Sequence, residues 1–149
     1  MECNKVSPDS VPMRLLLEAD PSEDCIKGYL KGSECFGAFV DNELAGICVS
    51  KQQSASTAEI YNIAVYPSYQ KKNIGSTLLQ FAIKELATSG YNNVELGTGT
   101  FGYQLSFYQR HGFRVDSVKK DFFLDNYDEK IIENGIQHKD MLRLVCRLG

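Results

Sequence analysis

Apolar positions along the chain recur with two periods, two residues apart in some stretches and three to four apart in others, so the pattern predicts alternating strands and helices. The clearest stretch is Ala58 to Val65, AEIYNIAV, whose Ile60, Tyr61, Ile63 and Val65 predict a half or fully buried strand. Pro67 ends it, because proline has no N–H to give a ladder. Beyond a polar turn, Ile74, Leu78, Leu79, Ala82, Ile83 and Leu86 repeat at helical spacing and put one stripe against a core. Gly90 follows as a natural closing residue.

Upstream, the pattern predicts a short strand over Glu2 to Val6 and a helix over Pro12 to Ala19 carrying Met13, Leu15, Leu16 and Leu17. A second helix starts at Asp20-Pro21-Ser22-Glu23, with a capping Asp, proline at the first helical position and an acid in the first turn. It includes Ile26, Tyr29 and Leu30 and stops near Gly32. Cys35 to Val40 and Leu44 to Ser50 are apolar runs joined by Asp41-Asn42-Glu43, a hairpin, and Gln52 to Ser56 is a polar link. Downstream come a short strand over Asn93 to Leu96 broken by Thr98-Gly99-Thr100, a helix over Gly102 to Arg110 ended by Gly112, and a strand over Phe113 to Val118. Asp121 to Asp140 reads as a long loop, and Met141 to Leu148 as a closing strand. This order implies an α+β fold with α/β/α layering, in which a mixed, mostly antiparallel sheet carries helices on both faces.

The 149 residues suit a single domain over positions 1–149, able to bury roughly 68–70% of its unfolded surface. With 43% hydrophobic and 23% charged residues the composition is that of an ordinary globular protein. No apolar run is long enough for a membrane helix, and MECNKVSPDSVP lacks the apolar centre of a signal peptide. Cys3, Cys25, Cys35, Cys48 and Cys146 are scattered, with no spacing that suggests zinc. They read as reduced core thiols in a cytoplasmic protein without a metal. A net charge of −3 argues against nucleic acid as the partner.

The chemistry centres on the join between the strand and the long helix. Gln70-Lys71-Lys72-Asn73-Ile74-Gly75-Ser76-Thr77 puts basic and small residues where a helix begins. The first N–H groups there lack internal acceptors and the dipole is positive, so such an end favours phosphate. No Gly-Lys-Ser/Thr follows at P-loop spacing. The stretch resembles the acyl-CoA loop of the GCN5-related N-acetyltransferases, Gln/Arg-x-x-Gly-x-Gly/Ala, with Asn73 where the first glycine stands. Asn tolerates left-handed backbone better than most residues. Leu105 to Phe113 is similar to the family's later motif, a helix with an aromatic-Tyr pair that ends in Gly-Phe.

The resemblance, carried over about Cys35 to Val118, implies acetyl-CoA as co-substrate. It implies that Gln70, Lys71, Lys72 and Asn73, with Ile74, Gly75, Ser76 and Thr77 at the helix start, hold its pyrophosphate. It implies further that backbone groups of Ile63, Ala64 and Val65 hold the pantetheine arm, and that Tyr108 points its hydroxyl at the sulfur. A phenol with a pKa near ~10 can donate to a departing thiolate. Many members have Asn seven residues before that Tyr, where this chain has Phe101.

A free alkylamine has a pKa near ~10.4, so only about one in a thousand is neutral near pH 7.4, a deficit of about 4 kcal/mol. Something must accept its proton. Glu59 stands where some histone-acetylating relatives place a strand glutamate as base, with an exposed strand carboxylate as the equal alternative. Shared parity of Glu59, Tyr61 and Ile63 would aim Glu59 into the cleft, and a bulge would alter that. His111 and His138 are rival bases, with helix capping the plainer role for His111. No cysteine suits a covalent acyl-enzyme.

The expected activity is therefore acetyl transfer from acetyl-CoA to a primary amine of a small molecule or peptide, by direct attack in a ternary complex. A non-catalytic acyl-CoA sensor or interaction module on the same fold is the alternative. The 121–140 segment, locally −4 and bearing Phe122, Phe123 and Tyr127, would suit a cationic acceptor or serve as a plain solvated loop. No membrane or nucleic-acid partner is expected, and a homodimer stays open, since several members of the family pair through their late strands.

Overall fold

The computed structural model describes all residues, Met1–Gly149. They form two compact units, one of Met1–Val94 with Leu148–Gly149 and one of Glu95–Arg147.

The first unit holds four antiparallel strands, β1 (Glu2–Val6), β2 (Glu34–Val40), β3 (Glu43–Gln52) and β4 (Thr57–Val65), each paired with the next. Asp41 and Asn42 both have positive φ, 50° and 67°, which is the mirror-image turn that matches strand twist. Helices α1 (Met13–Leu16) and α2 (Glu23–Leu30) cover one sheet face, and α3 (Ile74–Thr88) covers the other. Strand parity makes that division: Cys35, Ile47, Val49 and Ala64 pack with Leu15, Leu16 and Ile26 on the α1–α2 side. Phe36 points the opposite way and meets Phe81 of α3 edge-on, at 5.9 Å between ring centres. Gly46 fits close against β4, where a β-carbon would stand 3.0 Å from the Ala64 carbonyl and 3.2 Å from the Val65 side chain.

The helix over Pro12 to Ala19 is shorter than its apolar run, Met13–Leu16. The second helix begins later than its start signal. Ser22, not Asp20, is the cap, and its Oγ accepts from Cys25 N at 3.1 Å. Asp20 is buried below the helix, where its carboxylate accepts from Ser22 N (3.1 Å) and from the Tyr29 hydroxyl (3.0 Å).

In the second unit β9 (Met141–Arg147) lies between β5 (Asn93–Gly99, which enters from the first unit at Val94) and β6 (Arg114–Lys119). β5 runs three residues beyond the expected Leu96, through Thr98-Gly99. Those glycines do not break the strand; they make room. A β-carbon on Gly97 would collide with Met141, and one on Gly99 with the His138 ring. α4 (Tyr103–Arg110) follows, closed by Gly112 at φ 91°. The expected loop at 121–140 is instead structured, with α5 (Phe122–Asn126) and a ribbon of β7 (Ile132–Glu133) and β8 (Ile136–Gln137). Asn134 and Gly135 make its turn, at φ 53° and 77°.

Candidate active site

β4 carries a register shift against β3: Val49 pairs with Asn62 and Ser50 with Ile60, which leaves Tyr61 as the extra residue. This bulge decides what faces α1–α2. Asn62 lies opposite Val49 on that side, and Tyr61 stacks on Tyr29 of α2 at 5.0 Å and 18°. Glu59 pairs with Lys51 and is 9% exposed. The Gln53 amide donates to the Glu59 carboxylate and, at 2.8 Å, to the Tyr61 hydroxyl, so Glu59 and Tyr61 share a side. Ile63, opposite Cys48, does not join them; the expected three-residue parity fails at the bulge.

Beside this pair lies a buried polar chain. Asn62 Nδ2 donates to the Leu16 carbonyl (3.0 Å) and to the Tyr29 hydroxyl (2.9 Å), which in turn donates to Asp20. Burial, more than the opposing hydrogen bond from Asn62 and the charge of Asp20, pushes the Tyr29 hydroxyl far above the usual phenol range. The chain ties β4 to both N-terminal helices. Asn62 Oδ1 is buried in it without a hydrogen-bond partner.

Past β4, Pro67–Tyr69 makes a single 3-10 turn, and the chain then turns left-handed twice, at Lys71 (φ 64°) and Asn73 (φ 61°, ψ 16°). Asn73 thus supplies the conformation for which a glycine is usual. The first bond of α3 runs from Thr77 N to Asn73 O at 3.1 Å, and the Thr77 hydroxyl also donates to Asn73 O at 3.0 Å. The N–H groups of the first turn lie before that bond, with Lys71 and Lys72 exposed next to them. Gln70 does not extend outward: its amide donates to the Val65 carbonyl at 2.9 Å and braces the turn against the end of β4. Lys72 lies over the Tyr69 ring at 5.9 Å. A helix start with this backbone and charge fits a pyrophosphate group.

In the second unit Tyr108 sits on the inner side of α4, 9% exposed and edge-on to Phe107 and Phe113. His111 closes the helix. Burial and then the neighbouring Arg110 lower its pKa, so it is neutral at physiological pH. His138 is buried with its ring flat on Phe101, 4.1 Å and 7° apart, and its Nε2 bonds Glu133 Oε1 at 2.9 Å. That carboxylate assigns the ring proton to Nε2. Nδ1 is buried against Gly99 with no hydrogen-bond partner. Phe101 therefore serves as a platform for His138. No group of His, Cys, Asp and Glu side chains is arranged to hold a metal ion, and no helix is long and apolar enough to cross a membrane.

Gln53, Asn62, Tyr29 and Glu133 were not among the expected site residues. The Gln53 fork depends on the bulge, which apolar spacing does not reveal. Glu133 depends on the ribbon, whose one sequence signal is the Asn134-Gly135 pair.

A left-handed turn at Asn73 thus opens α3 after the bulged strand β4, which also carries the buried Glu59 carboxylate. Comparison with known proteins gives the family. The model of the Acetyltransferase (GNAT) family matches residues 8–113. The N-acetyltransferase YvbK of Bacillus subtilis (strain 168) is 48% identical over 135 residues, 90% of this chain and 87% of that protein. A GNAT family acetyltransferase from Elizabethkingia anophelis, crystallised with acetyl-CoA bound, superposes with a TM-score of 0.93 at 38% identity, covering 99% of this chain and 97% of that one. A Bacillus subtilis acetyltransferase in complex with CoA gives a TM-score of 0.88 at 42% identity, with 99% of each chain covered. The chain belongs to the GNAT acetyltransferase family. It has the family's α+β fold and is an N-acetyltransferase that uses acetyl-CoA as co-substrate.

Proposed function

We propose that the chain, acting as one domain over residues 1–149, transfers acetyl from acetyl-CoA to a primary amine of a small molecule or peptide by direct attack in a ternary complex. The observation that carries this reading is Glu59: a carboxylate, nearly buried on the α1–α2 side of β4 and held by a neighbouring amide. A nucleophilic amine must lose a proton that it holds at neutral pH, and a positioned carboxylate accepts it. The acceptor nitrogen bonds to the acetyl carbon, the C–S bond breaks, and the nitrogen's proton passes to Glu59. Tyr108 is the proposed donor to the departing thiolate. The α3 start from Asn73 to Thr77, with Lys71 and Lys72, is the proposed seat of the pyrophosphate, and the Ile63–Val65 backbone that of pantetheine. An N–H of that backbone can polarise the thioester carbonyl.

Calorimetric titration with acetyl-CoA tests the binding half. Micromolar affinity lost in Gly75→Glu is expected, because a carboxylate in the turn repels phosphate; binding untouched by that change would remove the phosphates from α3. Thiol release with amines tests the chemistry, where Tyr108→Phe is expected to lower kcat about 10²-fold or more with the affinity for acetyl-CoA kept.

A further inference from the structure

We propose that the first unit carries a further binding site, for a small zwitterion of the amino-acid type whose carboxylate meets Arg14 and whose ammonium meets Glu43. The site is an open groove of about 800 Å³, near the upper end of the range for small-ligand sites and roomy enough for a dipeptide. Its walls come from α1, the start of β3 and the turn after β4, all within Met1–Val94. The frame is rigid for reasons that lie in the sequence. Pro12 caps α1 and Pro67 opens the 3-10 turn, and each proline fixes its own φ. Tyr66 N donates to Ala45 O at 3.0 Å and Tyr69 N to Tyr66 O at 2.9 Å, so both aromatic residues sit on bonded backbone. Leu44 and Tyr66 rest on the core beneath α1 and α2 and give the groove its apolar surface.

Two charges that line the groove have hydrogen-bonding capacity to spare. Arg14 lies over the Tyr66 ring, 5.4 Å from its centre, and its Nε donates to the Tyr66 hydroxyl at 3.3 Å. That uses one N–H and leaves both terminal nitrogens of the guanidinium for an anion. Glu18 stands four residues further on, but α1 ends at Leu16, and neither Glu18 nor Glu43 comes within ion-pair distance of Arg14. Glu43 is held by the Tyr69 hydroxyl, which donates to its Oε2 at 3.3 Å and leaves Oε1 for a cation. An anion alone would be repelled by the two carboxylates, and a cation alone by Arg14. A molecule that carries both charges on an apolar body satisfies each.

Glycyl-leucine is the probe, titrated into isotope-labelled full-length protein with no acetyl-CoA present. Saturable shifts of the Ser68 and Tyr69 backbone N–H signals are expected. Glycyl-leucinamide lacks the carboxylate and N-acetylglycyl-leucine lacks the ammonium, and each is expected to bind at least about 10-fold more weakly. In Arg14→Gln the dipeptide and its amide are expected to bind alike; in Glu43→Gln the dipeptide and its acetylated form are. Both variants are expected to keep the wild-type affinity for acetyl-CoA in calorimetry, which also reports that they are folded. Signals that stay still, or blocked forms that bind the wild type as tightly as the dipeptide does, overturn the proposal. So does loss of acetyl-CoA binding in Arg14→Gln, because the guanidinium would then serve a phosphate of the co-substrate.

Discussion

At Gly99 the absence of a side chain is what lets His138 be where it is. A methyl group there would stand well inside contact distance of the imidazole Cε1 and Nδ1. The imidazole cannot yield easily, since it is stacked on Phe101 and bonded through Nε2 to Glu133. Glu133 in turn crowds Gly102, whose added β-carbon would lie 2.7 and 2.8 Å from the two carboxylate oxygens. Gly102 opens α4 at φ 109° without a side-chain cap, so a carboxylate there also meets the positive end of the helix. Gly99→Ala is accordingly expected to cost roughly 1–3 kcal/mol through overpacking, read as a lower urea midpoint. The double change Gly99→Ala with His138→Ala is expected to cost less than the two single effects added, because the first substitution's clash is gone in the second's background. Simple additivity would mean that the ring does not pack on Gly99 as described.

Among elements, α3 and β4 were the most legible in the sequence, α3 through its helical apolar period from Ile74 to Leu86 and β4 through its β-branched and aromatic run from Ile60 to Val65. The turn between them was legible too, through Asn73. What was not legible depended on contacts from elsewhere in the chain. Thr98-Gly99 looked like a strand break, yet those residues stay in β5 because Met141 and His138 need the space that Gly97 and Gly99 leave. Asp20 looked like a cap, but the Tyr29 hydroxyl and Ser22 N claim its carboxylate and the cap moves two residues on. The parity of β4 was conditional in the sequence on the absence of a bulge, and the bulge at Tyr61 decides it by turning Ile63 away from Glu59 and Tyr61. The turn itself can be tested as an element. Asn73→Gly keeps the left-handed backbone and is expected to leave stability within a few tenths of a kcal/mol, whereas Asn73→Val is expected to cost roughly 1–2 kcal/mol. Acetyl-CoA affinity is expected to follow the same order, kept by Gly and weakened by Val, since the first turn of α3 is set by that residue. Equal stability of the two variants in urea denaturation would show that the chain does not need φ 61° there.

For the whole molecule the cysteines offer a measurement of how the two units open. All five are free thiols. Cys35 and Cys48 are fully buried in the first unit and Cys146 is 8% exposed in the second, while Cys3 and Cys25 are partly exposed. Burial raises the Cys35, Cys48 and Cys146 thiols above their ordinary range, which suppresses the reactive thiolate in the native state. Iodoacetamide therefore reaches these three through opening of the structure, and Cys25 serves as an internal control for the intact protein. A ligand that binds only the native form lowers the open fraction by 1 + [L]/Kd, so acetyl-CoA at a hundred times its Kd slows labelling about 100-fold. If residues 1–149 behave as one cooperative domain, Cys35, Cys48 and Cys146 are all slowed by that same factor and Cys25 is not. If the units open separately and the co-substrate is gripped by the α3 turn alone, Cys35 and Cys48 are protected while Cys146 labels at its unliganded rate. Mass spectrometry of each cysteine-bearing peptide separates the two cases in one experiment. A common factor is the expected result, because acetyl-CoA at a hundred times its Kd protects every thiol whose exposure requires the binding-competent fold to open.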